Sequence, residues 1–134
     1  MTIDDWLQDY AEAGATGLPE GGEAKGFCKK VAGARALYAS VTLQFLPAEE
    51  LVFSVGSTLE GPAIAECRRE GWLTSIWFGV LDVMLTNPVP PITRFQCILI
   101  SVDTHEVDSC KDAFRLAARY ATRAFLEKRN FVLM

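Results

Sequence analysis

The chain has 134 residues and one histidine, His105, set in the run VDTHEVDSCKDAF over residues 102–114. An imidazole can move protons, hold a metal or contact a nucleic acid near neutral pH. Proton chemistry needs a nucleophile or an orienting partner at hydrogen-bond distance. The neighbours Asp103, Glu106 and Asp108 can raise its basicity but supply neither. One histidine among scattered carboxylates lacks the ligand spacing of a metal site. The four cysteines, Cys28, Cys67, Cys97 and Cys110, contain no close C-x-x-C pair and read as reduced, mostly buried thiols. No catalytic residue, metal or cofactor is therefore expected. Two basic groups remain. Lys111, Arg115, Arg119 and Arg123 recur every four residues, which lines one face of a helix. Such a face either meets RNA phosphates or is simply solvated. Lys25, Lys29, Lys30 and Arg35 fall in a stretch with no carboxylate between Glu23 and Glu49, a candidate phosphate-facing loop.

The elements that must hold these residues follow from periodicity. Ile3, Trp6, Leu7 and Tyr10 have helical spacing, so a short amphipathic helix is expected, stopped by Gly14. The Gly-rich GATGLPEGGEAKG that follows reads as a linker or mobile loop. In ALYASVTLQFLP, Leu37, Ala39, Val41, Leu43 and Phe45 alternate with polar neighbours, a half-buried strand. LVFSVGS returns as its antiparallel hairpin partner. Pro62 suits the first turn of a helix that runs to about Gly71. WFGVLDVMLT reads as a third strand, with Trp72, Trp77 and Phe78 as core or interface aromatics. NPVPP marks a loop, and TRFQCILISV reads as a strand buried on both faces. A last helix is expected from about Cys110 to Lys128, with Asp108 or Ser109 as cap and Ser109 with Asp112 as a capping box. FVLM reads as a terminal strand. Strands interleaved with packed helices predict an α+β fold, a two-layer α/β sandwich.

The totals agree with one globular domain: half the residues are hydrophobic and 22% are charged. The net charge of −4 is unevenly spread. Residues 1–24 hold Asp4, Asp5, Asp9, Glu12, Glu20 and Glu23 and no lysine or arginine. Of 17 acidic residues in all, 11 then remain against 13 basic ones. This divides the chain into an acidic leader, 1–24, and a mildly basic domain, 25–134. Such a balance permits contact with RNA without arguing for it. The acidic start has neither the basic nor the apolar region of a secretory signal, and no apolar run is long enough to span a bilayer. A cytoplasmic location without membrane attachment is the expectation.

The run His105, Glu106, Val107, Asp108, Ser109, then Ala113, Phe114, Ala117 and Ala121 resembles the H-[ED]-V-D-S-S-x-x-A-F-x-x-A motif of domain IV of elongation factor G. Gly33, Tyr38, Ala39, Val41 and Pro47 are similar to that family's glycine-rich loop and the strand after it. Phe78, Val80, Asp82 and Val83 resemble its F-P-V-x-D-[IV] strand, and NFVLM resembles its exit towards domain V. The resemblance covers about Lys29 to Met134. It implies a ribosomal-protein-S5-domain-2-like fold with a left-handed β-α-β crossover. It also implies two tip loops that meet the ribosome or structured RNA, one carrying Thr104 and His105, the other Lys25, Lys29, Lys30 and Arg35. The departures are as specific. No P-loop G-x-x-x-x-G-K-[ST] is present, so GTP hydrolysis is not expected. The glycine loop is reduced to Gly33-Ala34-Arg35-Ala36, which should make that tip more regular. About a dozen extra residues, NPVPP among them, lie between Asp82 and His105. The expectation is a non-enzymatic, stand-alone relative of domain IV that binds the ribosome or RNA. The alternative is a scaffold that keeps the fold and associates with itself or a protein partner through the N-terminal helix or a sheet surface.

Overall fold

The computed structural model describes residues 16–32, 35–88, 91–105 and 109–129. Five strands and three helices follow one another: β1 (Thr16–Gly17), β2 (Gly22–Ala32), β3 (Arg35–Pro47), β4 (Val52–Val55), α1 (Pro62–Glu70), α2 (Trp72–Met84), β5 (Ile92–Asp103) and α3 (Lys111–Lys128). The sheet runs β2-β3-β5, with β1 and β4 both pairing to the far side of β5. β2 and β3 are antiparallel from Gly22↔Phe45 to Ala32↔Arg35. β3 and β5 are antiparallel, with a bulge between Thr42 and Leu43. β1 and β4 lie parallel to β5. The result is a mixed sheet with helices on one face, an α+β architecture, as the interleaved pattern predicts.

β3 forms because its apolar residues repeat with period two. Ala39, Val41, Leu43 and Phe45 are wholly buried. β5 adds Phe95, Cys97 and Leu99 to the same layer. Its other row is only half-covered, so the strand is buried on one face rather than two. α3 supplies the opposing layer through Ala113, Phe114, Ala117, Ala118, Ala121, Phe125 and Leu126. Phe45 stacks on Phe125 with centroids 4.6 Å apart, and Trp72 stacks on Phe114 at 5.0 Å. The alanines let backbones approach closely. A Cβ on Gly26 of β2 would lie 1.8 Å from the Ala117 carbonyl oxygen, and one on Gly79 of α2 would lie 2.4 Å from that of Arg115. Helix α3 therefore rests directly on β2 and on α2.

Several expectations change. The stretch expected as linker supplies β1 and the first residues of β2. Lys25, Lys29 and Lys30 thus sit on a strand, and Arg35 opens the next, rather than all four lying in a loop. LVFSVGS does not return along β3 as a hairpin. β4 pairs with β5 in parallel through Val52↔Gln96 to Val55↔Leu99. α1 ends as expected, with Gly71 in the left-handed conformation at φ 76°. WFGVLDVMLT, expected as a strand, belongs to helix α2, whose Ile76, Gly79, Val80, Leu81, Val83 and Met84 are buried. The helix at residues 3–10, the strand at 131–134 and the proposed cap Asp108 lie outside the described residues.

Candidate functional site

On β2 the inward row is Ala24, Gly26 and Cys28, and the outward row is Glu23, Lys25, Phe27 and Lys29. The outward row faces away from the helices. Phe27 stands 47% exposed between two lysines. The register puts Lys29 opposite Tyr38, Phe27 opposite Ser40 and Lys25 opposite Thr42. Phe27 and Tyr38 meet edge to face with centroids 5.4 Å apart. Next along the sheet, Ser40 pairs with Asp103. The Tyr38 phenol donates to Asp103 Oδ2 at 2.9 Å. That hydrogen bond, with some burial and the carboxylate's charge, holds the phenol above its ordinary value, so Tyr38 stays a neutral donor.

The loop after β5 folds back onto this surface. The Ser109 hydroxyl accepts the His105 backbone N–H at 2.7 Å and donates to the Tyr38 carbonyl oxygen at 2.8 Å. The Ser109 N–H in turn donates to the His105 carbonyl oxygen at 3.0 Å. His105 is exposed, and its ring lies 6.0 Å from that of Tyr38. Thr104 is half-buried beside it. Lys29 is level with Tyr38 and the His105 loop, while Lys25 lies further along β2 towards Gly22. Lys25 and Lys29 lie on the outer face of the sheet, and His105 is held beside Tyr38. Lys30 and Arg35 are placed by their backbones as partners of Leu37 and Ala32 near the hairpin end. Ser109 is not a helix cap. Cys110 occupies the N-cap position with no side-chain cap bond, because the Ser109 hydroxyl is committed to His105 and Tyr38. Phe27 and Tyr38 are the site residues that sequence reasoning missed. The signal was Phe27 flanked at two-residue spacing by lysines, which is visible only once residues 22–32 are read as a strand.

The basic helix stripe divides. Arg115 reaches Asp82 of α2 with both forks, Nε to Oδ2 at 2.6 Å and Nη2 to Oδ1 at 2.7 Å, and Arg119 Nε adds a bond to Oδ2 at 2.8 Å. Arg115 also lies over the Phe78 ring, 5.7 Å from its centroid. Burial pushes the Asp82 carboxyl up, but the two arginines' hydrogen bonds and charges outweigh it and hold it below its ordinary value. Two members of the stripe are therefore fastened to α2 by their guanidinium groups, although each stays partly exposed. Lys111 is exposed, and Arg123 lines a groove of about 440 Å³ with Asp82, Asn87, Arg119 and Tyr120. Among the described residues no group of three or more His, Cys, Asp or Glu is placed to hold a metal ion. No helix among them is long and apolar enough to cross a membrane.

No family model matches the chain. Elongation factor G of Thermotoga maritima is 26% identical over 121 residues, covering 87% of this chain and 17% of that protein. Elongation factor G of Paracoccus denitrificans is 30% identical over 108 residues, covering 79% of this chain and 15% of that protein. A solved protein from Thermus thermophilus has a like fold, with a TM-score of 0.68 and 23% identity, and the match covers 83% of this chain and 16% of that one. The chain thus spans only a small part of the length of its curated relatives. Over most of its own length, this chain is a relative of one domain-sized region of elongation factor G.

Proposed function

We propose that this chain is a non-enzymatic binding module of translation, corresponding to domain IV of elongation factor G and acting in the cytoplasm on the ribosome or on a structured RNA. The fold class in this reading is that of ribosomal protein S5 domain 2, with a left-handed crossover from β4 through α1 and α2 to β5. One observation carries the reading: the His105 loop, which bears the family-like motif, is hydrogen-bonded through Ser109 onto Tyr38, across the strand pair from Lys29. Cations, exposed aromatic rings and an imidazole on one surface are the components of RNA contact. Lysines meet phosphates, and rings stack on unpaired bases. No nucleotide-binding loop or metal cluster enters this reading.

The test is co-sedimentation of the purified chain with ribosomes and free subunits across a salt series, beside a Lys25→Ala/Lys29→Ala/His105→Ala variant. Salt-sensitive co-migration that weakens about tenfold or more in the variant supports the reading, because each lost phosphate contact lowers both affinity and salt slope. Absence of co-migration at low salt overturns it. A second reading, a scaffold that acts by association, draws on a different feature of β2.

A further inference from the structure

Strand β2 is eleven residues long and, among the described residues, pairs with β3 alone. Its other edge has no strand partner among the described residues, and a strand edge offers backbone donors and acceptors for pairing. The residues along it are self-complementary. If two copies of β2 pair antiparallel about a two-fold axis through Gly26, Glu23 of each copy faces Lys29 of the other. Lys25 then faces Phe27, Ala24 faces Cys28, and Gly26 faces Gly26. Every outward residue meets an outward residue, so both sets of helices stay on one side of the joined sheet.

The neighbouring registers are worse. Sliding by two residues one way sets Lys25 against Lys25, and sliding the other way sets Lys25 against Lys29. Like charges directly opposite destabilise a ladder. A slide by one sets the outward row against the buried row of Ala24, Gly26 and Cys28. We propose that a second copy of this chain is the occupant of the β2 edge, forming a symmetric dimer with a continuous sheet and reciprocal Glu23–Lys29 pairs. The exposed Phe27 then gains the stem and ammonium of the other copy's Lys25 over its ring. Cross-strand Cα separations would be about 4.5–5.5 Å. This arrangement shares Lys25, Phe27 and Lys29 with the RNA reading, but it is tested on the chain alone without RNA, so the two can fail separately.

The test uses the full chain and analytical ultracentrifugation over a wide concentration series. The wild-type protein is expected to sediment as a dimer. Glu23→Lys alone and Lys29→Glu alone each turn two attractive pairs into two repulsive ones, and should weaken the dimer about tenfold or more. The double variant Glu23→Lys/Lys29→Glu restores opposite charges in the same register and should recover the dimer. Circular dichroism of all three variants separates loss of association from loss of fold, and both positions are exposed. A wild-type chain that stays monomeric at the highest concentration overturns the proposal. So does a dimer indifferent to the single reversals, or a double variant no tighter than the singles.

Discussion

At the residue scale, one carboxylate does the most to join two elements. Asp82 takes three hydrogen bonds from Arg115 and Arg119, with 25% of its side chain exposed. The arginines remain 42% and 40% exposed, so solvent screens part of the interaction. Asp82→Asn is therefore expected to lower stability by about 1–2 kcal/mol at neutral pH. The effect depends on pH, with a sign set by the direction of the shift. The native carboxyl is held below its ordinary value of 3.8, so its contribution is complete above that value. It fades as acid protonates the native group. Urea unfolding of wild type and variant should show a gap at pH 7 that narrows steadily below about pH 4. A gap that widens in acid would contradict the assignment. The sequence spacing of Arg115 and Arg119 was legible; their partner was not. Asp82 was read on a strand, and only the packing of α2 against α3 brings it beneath them.

At the scale of elements, glycine and alanine set how near the layers come. Gly26 lies under α3 so closely that an added methyl would meet both the Ala117 carbonyl oxygen and the Ala121 nitrogen. Those are backbone atoms, which cannot rotate aside. Gly26→Ala should cost about 3 kcal/mol or more, read as a large fall in the denaturation midpoint. The same closeness hides β2 from its local sequence. A strand pressed against a helix backbone must present Ala24, Gly26 and Cys28, so its buried row lacks the branched and aromatic residues that announce strands. Helix α2 is ambiguous in sequence for the opposite reason. It is buried on much of its surface, so WFGVLDVMLT is apolar on both sides of Asp82 and fits either element. Trp77 is half-buried against the core, stacked on Phe53 at 5.3 Å, while Phe78 is exposed.

At the scale of the whole molecule, the core is built over three thiols. Cys28, Cys67 and Cys97 are buried, while Cys110 is half-exposed at the start of α3. Burial and then the charge of Glu66 push the Cys67 thiol up to about 12, and burial pushes Cys97 up as well. The thiolate is the reactive form. In the native protein a thiol reagent should label Cys110 first. The other three should react only as fast as the fold opens, with all four reacting together in denaturant. Mass mapping of the labelled peptides over time checks this order. Prompt native labelling of Cys97 would contradict the closed core.

The sequence by itself determined the class of fold, the central strands β3 and β5, the helix α3 and the kinship of the His105 run. β3 and α3 carry a clear period of two or 3.6, β5 a short apolar run bounded by turn signals, and such patterns are local properties of the chain. Tertiary structure alone decided what the periods could not encode. β4 pairs in parallel with a strand some forty residues later rather than with its neighbour. Lys25 and Lys29 of β2 stand in a row with Phe27. Ser109 ties His105 to Tyr38 instead of capping a helix. In each case a contact between distant residues won over the local preference. Burial and hydrogen-bond satisfaction are settled by the whole fold, so a short stretch of sequence carries no record of which partner will meet it.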